Sequence, residues 1–99
     1  EVTAVDVTEY ETQFISLGQN DPNPFSEQTS IEVSVPESVT SAALLIFDMQ
    51  GKQVKRIDIS DRGTSRITVM GQGLPEGMYL YSLVADGKVV KTRKMILSK

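Results

Sequence analysis

Gly77-Met78-Tyr79-Leu80-Tyr81-Ser82-Leu83-Val84-Ala85-Asp86-Gly87-Lys88-Val89-Val90-Lys91-Thr92-Arg93-Lys94-Met95-Ile96-Leu97-Ser98-Lys99 is the stretch that decides the fold. An apolar and aromatic run enters an Asp86-Gly87 pair, and a second run then alternates basic and apolar residues to the end of the chain. Two β-prone runs joined by Asp-Gly carry the strongest short-range hairpin signal. The stretch therefore predicts a closing β-hairpin with strands over residues 78–85 and 88–98. Tyr79, Tyr81 and Leu83 fall on one face of the first strand, and Met78, Leu80 and Val84 on the other. The second strand carries Lys91, Arg93, Lys94 and Lys99, so it is expected to present charge to another molecule as well as to pack.

Working back from the hairpin, residues 71–77 read as a loop around Gly73, Pro75 and Gly77, with Leu74 tucked beneath it. Residues 66–70 are a short strand with Ile67 and Val69 inward, preceded by a polar turn at residues 60–64. Residues 53–59 form another strand, in which the change of parity between Val54 and Ile57 predicts a bulge or a register shift. Gln50-Gly51 is a turn. Residues 42–49 are nearly all apolar, as expected of a central strand covered on both faces or close to an interface. Residues 29–35 alternate Ile31, Val33 and Val35 with Ser30, Glu32 and Ser34, a strand with one wet face that Pro36 ends.

The loop at residues 18–25 contains Pro22 and Pro24, which restrict Asp21 and Asn23 and withhold two backbone donors. Phe25 follows at once as a large apolar anchor, read as a core plug in preference to an exposed recognition ring. Residues 10–17, with Phe14, Ile15 and Leu17, read as a first core strand, and residues 2–8 as a tether or an edge strand. No stretch has helical spacing. Turn signals recur about every 8 to 12 residues, which predicts an all-β fold: a small antiparallel immunoglobulin-like β-sandwich of about seven strands. Residues 1–12 are expected to be a linker or edge strand from the preceding part of a longer precursor, and residues 13–99 the sandwich itself.

Composition narrows the function. Ninety-nine residues with 39% hydrophobic and 23% charged content suit one domain, and no apolar run approaches the roughly 20 residues of a membrane span. There is no cysteine and no histidine, which removes thiol nucleophiles, disulfides, Cys/His zinc sites and Ser-His or Cys-His pairs. The net charge of −3 divides unevenly: residues 1–48 hold nine acids and no base, whereas residues 49–99 hold four acids and all ten bases. Interleaving of the halves in a sandwich accounts for this plainly. The sharper reading is a basic docking face for an acidic partner or an anionic glycolipid. A pI near 4.8 argues against nucleic acid.

Asp48, Asp58, Asp61 and Asp86 lack the dense spacing of a calcium loop and read as solvated turn residues. The carboxylates show no pairing that would mark a glycosidase. Tyr79 and Tyr81 read as core with hydroxyls at the rim rather than as a carbohydrate platform. No catalytic residue, metal or cofactor is expected. Edge strands at both ends leave room for a weak homodimer by strand exchange.

Asn20-Asp21-Pro22-Asn23-Pro24-Phe25, then Thr29 and Ile31 in a strand, Pro36, residues 44–48 followed by Gly51, Leu74-Pro75-Glu76-Gly77-Met78-Tyr79, and a closing Lys94-Met95-Ile96-Leu97-Ser98-Lys99 form an ordered series. Over roughly residues 14–99 it resembles the C-terminal sorting domain (type A) of the type IX (Por) secretion system of Bacteroidetes. The resemblance implies a non-catalytic module at the end of a larger exported cargo protein, reaching the periplasm in transit and then the cell surface or the medium. It implies an outer-membrane translocon and a sortase-like surface peptidase as partners, with the cargo upstream in the same precursor. The sorting signal then maps onto Gly77, Met78, Tyr79, Lys94, Met95, Ile96, Leu97 and Lys99, and the family's motif loop onto Asn23, Pro24 and Phe25. The alternative is a retained structural or adhesive sandwich that caps a surface or fibre-like protein.

Overall fold

A computed structural model describes residues 14–99. Seven strands occur in chain order: β1 (Ser16–Leu17), β2 (Gln28–Val35), β3 (Ala42–Phe47), β4 (Gln53–Asp58), β5 (Gly63–Met70), β6 (Gly77–Ala85) and β7 (Lys88–Leu97). They form a three-stranded sheet, β1-β2-β5, and a four-stranded sheet, β4-β3-β6-β7, antiparallel throughout. The predicted all-β sandwich is thus the observed one, with a core supplied by the inward rows of both sheets.

The alternations resolve as read. Ile31, Val33 and Val35 point inward from β2, Ile67 and Val69 from β5, Leu44 and Ile46 from β3, and Tyr79, Tyr81 and Leu83 from β6. Leu74 is buried beneath its loop. The parity change in β4 is a bulge: Ile46 pairs with Lys55 but Phe47 pairs with Gln53, which leaves Val54 as the extra residue. β3 is central, between β4 and β6. Its outward Leu45 and Phe47 are only half-buried, because no layer lies over that face.

Three expectations change. β5 is longer than residues 66–70, because β2 offers a full-length partner from Gln28↔Met70 to Val35↔Gly63. Of the first core strand expected over residues 10–17, the described part is a strand only at Ser16–Leu17: Leu17 enters the core, Ile15 packs against it, and Phe14 is 52% exposed, while residues 10–13 lie outside the described residues. The readings of residues 2–8 and of the linker at residues 1–12 lie outside the described residues.

The hairpin of β6 and β7 turns at Asp86 (φ 50°) and Gly87 (φ 82°), the positive angles that a two-residue type I′ turn requires. The Asp86 carboxylate also accepts hydrogen bonds from the backbone N–H groups of Thr40 (3.0 Å) and Ser41 (2.9 Å), tying the hairpin tip to the β2–β3 connection. The register shifts next to the tip, Leu83 pairing with Lys91 and Val84 with Val89, so Val90 is bulged.

Candidate functional site

The sequence places the candidate residues in three distant stretches, and the sheet brings all three together. Gly77 pairs with Leu97, Met78 with Ile96 and Tyr79 with Met95 along the β6–β7 ladder. On the other side of β7, Phe25 forms a parallel bridge with Leu97. Residues 77–79 and 94–97 are therefore adjacent strand segments at one end of the four-stranded sheet, with the bent segment 23–25 beside them.

Burial divides these residues into two sets. Tyr79, Met95, Leu97 and Phe25 are buried and belong to the core. Gly77, Met78, Lys94, Lys99, Asn23 and Pro24 are exposed, and Ile96 is half-buried beside Met78 on the outward face. The Tyr79 hydroxyl donates to the Pro75 carbonyl, which fixes the loop before β6. The Lys99 amide donates to Glu76 Oε1 at 2.9 Å, which ties the end of the chain to the same loop. A shallow crevice of about 230 Å³ between the β3–β4 turn and this loop is lined by Asp48, Met49, Val54, Glu76, Met78 and Tyr79.

β7 is an edge strand, and the sequence reading leaves its edge unpaired over the signal. The structure corrects this. Residues 18–25 run along the edge as a strap, with cis peptide bonds at Asp21-Pro22 and Asn23-Pro24. Phe25 N–H donates to the Ile96 carbonyl (3.0 Å), and Ser98 N–H donates to the Phe25 carbonyl (2.8 Å). Ile96 N–H donates to Asn23 Oδ1 (3.0 Å), and Gln19 Nε2 donates to the Lys94 carbonyl (2.7 Å). Four outward backbone groups over residues 94–98 are thereby satisfied, and further along the strand the Arg93 guanidinium donates to the Leu17 carbonyl. The physical reason is Phe25. Its ring is 2% exposed, and seating it in the core lays its own backbone against β7.

Residues that pattern reading passed over hold the strap in place. Asn20 is buried and donates through Nδ2 to Thr29 Oγ1 and to the Pro22 carbonyl, each at 3.1 Å. The Tyr81 hydroxyl donates to the Gly18 carbonyl (2.8 Å) and accepts from Asn20 N–H (2.9 Å). Burial raises the Tyr81 pKa above its ordinary 10.0, with the Asn20 hydrogen bond and the Arg93 charge opposing. Gly71 is required by close approach, because a Cβ there would lie 2.9 Å from Leu97 Cδ1 and 3.3 Å from the Phe25 ring. A polar loop before two prolines carries no periodic signal that these side chains turn inward.

The aspartates considered for calcium are engaged locally. Asp48 Oδ1 accepts from the Gln50 and Lys52 amides, Asp58 pairs with Arg56 at 2.9 Å, and Asp86 caps residues 40 and 41. The site offers shape, apolar contact and cationic side chains, which are means of recognition.

Among solved structures, the chain is similar to an immunoglobulin-like protein from Pseudomonas aeruginosa, with a TM-score of 0.51 and 9% sequence identity over 85% of this chain and 91% of the other. At that identity the likeness establishes the immunoglobulin-like sandwich fold. A comparison with curated proteins found no significant match. Residues 22–98 match the family described as the secretion system C-terminal sorting domain, a span that includes Asn23, Pro24 and Phe25 and the whole of β6 and β7. On that match the chain belongs to the secretion system C-terminal sorting domain family.

Proposed function

We propose that this module is a non-catalytic sorting signal carried at the C-terminal end of a larger exported cargo protein and read by the outer-membrane type IX translocon. Passage runs from the periplasm to the cell surface or the medium, with removal by a sortase-like surface peptidase as the final step. The observation that carries the reading is the convergence of residues 77–79, 94–98 and 23–25 into three adjacent segments with one outward row. In this reading Met78, Lys94, Ile96 and Lys99 are what another protein reads. Tyr79, Met95, Leu97 and Phe25 hold that row in place.

The division matters for the test. Deleting residues 93–99 would remove Met95 and Leu97 from the core, so lost delivery would report unfolding as readily as a lost signal. Lys94→Glu combined with Ile96→Ser alters the outward row and leaves the inward row intact. On a fused reporter in a host with a type IX system, the pair is expected to lower surface delivery at least about tenfold, as a loss of roughly 1.4 kcal/mol in recognition would. Delivery equal to the parent's, from a variant shown to be folded, would remove this reading.

A retained structural cap is favoured by one observation: four of the motif residues are core members, and any sandwich of this shape needs them whether or not a receptor reads it. Mass spectrometry of the same surface fraction separates the two, because a cap keeps residues 14–99 on the delivered protein.

A further inference from the structure

Phe14, Met49, Met70, Met78 and Val89 are the large apolar side chains that stay exposed among the described residues. Met49 and Met78 come from different segments, yet they line one crevice, the hollow of about 230 Å³ between the β3–β4 turn and the loop before β6. Val54, the bulged residue of β4, and the buried Tyr79 add to its apolar lining. Apolar side chains gathered at an open hollow gain by being covered, and the unbranched, polarizable methionine suits a surface that adapts to an incoming side chain.

Two carboxylates stand in the same lining, Asp48 from the turn and Glu76 from the loop. Each is held through one oxygen: Asp48 Oδ1 accepts from the Gln50 and Lys52 amides, and Glu76 Oε1 from the Lys99 amide. Lys52 and Lys99 thus reach them through backbone N–H groups, and the ion pair among the described residues is that of Arg56 with Asp58 on β4. A calcium ion would need about six to eight oxygens, and no group of three or more metal-ligating side chains occurs among the described residues. The lining instead complements a cation that brings its own apolar stem, with aliphatic carbons against the methionines and a charged head at the carboxylates. Met78 also belongs to the outward row, so the crevice adjoins the surface that Ile96 and Lys94 share.

We propose that this crevice is a docking site for a basic side chain, arginine or lysine, carried by the protein that reads the outward row. The inference rests on the reading of that row as a sorting signal, and it adds the chemistry of the partner: a basic residue set beside an apolar surface.

The test uses a fused reporter in a host with a type IX system, each variant being shown to fold by thermal unfolding. Asp48→Asn combined with Glu76→Gln keeps the oxygens that accept from the Gln50, Lys52 and Lys99 amides and removes both charges. The pair is expected to lower surface delivery at least about tenfold, as the loss of two charge-assisted contacts would. Met49→Ser, which leaves the signal row and the charges untouched, is expected to lower it about threefold. Glu37→Gln combined with Asp61→Asn makes the same change in net charge in the β2–β3 and β4–β5 connections, and is expected to be delivered as the parent is. Parental delivery of the Asp48→Asn/Glu76→Gln pair, with Lys94→Glu/Ile96→Ser still poorly delivered, overturns the crevice and leaves the sorting reading standing. Equal losses for the pair and its charge control overturn the crevice as well. Parental delivery of every variant removes the sorting reading and the crevice with it.

Discussion

At the scale of single residues, Tyr81 shows how a core position becomes a positioning one. Its ring is fully buried in β6, yet its hydroxyl meets both Gly18 and Asn20, one as acceptor and one as donor. Replacing it with Phe keeps the apolar packing and orphans a backbone carbonyl and a backbone amide. The expected cost at neutral pH is about 2 kcal/mol, measured by urea unfolding. The pH dependence has a definite sign. Burial raises the Tyr81 pKa in the folded chain, and burial together with the Asp48 charge raises that of Tyr79, so the unfolded chain loses these protons first. Their contribution is fully present below the ordinary value of 10.0 and is lost as pH rises from there through the folded-state values. Tyr81→Phe is expected to flatten, though not abolish, this alkaline decline. A variant with the parent's slope would show that Tyr81 ionisation contributes nothing to it.

At the scale of elements, the hairpin depends on its tip as much as on its ladder. Asp86 adopts a positive φ and at the same time caps the Thr40 and Ser41 amides, so one side chain joins the β6–β7 turn to the entrance of β3. Asp86→Ala would lose both acceptor bonds and place an alanine in a left-handed conformation; a loss of about 2 kcal/mol in thermal unfolding is expected. Asp86→Asn keeps an acceptor oxygen and tolerates the backbone angle, so it should lose clearly less. Equal losses for the two would show that the carboxylate bonds are not what matters. The two sheets also differ in their outward rows. β2 presents Gln28, Ser30, Glu32 and Ser34, a wet row, whereas β3 and β6 present half-buried Leu45, Phe47, Leu80 and Val84.

At the scale of the whole molecule, the uneven charge of the chain is folded together. β5, from the basic half, pairs with β2 from the acidic half, which sets Glu32 opposite Arg66; β3, also acidic-half, lies between β4 and β6. The bland reading of the charge split therefore accounts for the sheet centres. The exposed lysines of β7 stay at an outer edge. The strap joins the N-terminal side of the described residues to the last strand. Urea unfolding followed by tyrosine fluorescence, far-UV circular dichroism and exchange at the Ile96 amide is expected to give one coincident transition. Earlier loss of Ile96 protection would show the strap to be an independent unit.

The sequence by itself determined the elements, the inward rows and the closing hairpin, because strand periodicity and the Asp86-Gly87 turn are local properties written in adjacent residues. It also carried the family, through an ordered series of short motifs that the match over residues 22–98 bears out. It placed Phe25 in the core and a bulge or register shift between Val54 and Ile57, which the structure resolves as a bulge at Val54. What it did not reach were the short extent of β1 at Ser16–Leu17 among the described residues and the state of the β7 edge. Only the tertiary structure decided that Gln19, Asn23 and Phe25 close that edge and that the candidate signal splits into an inward and an outward row. The reason is that these contacts join residues some seventy positions apart, as in the bond of Ile96 to Asn23, and no local pattern reports a partner at that distance.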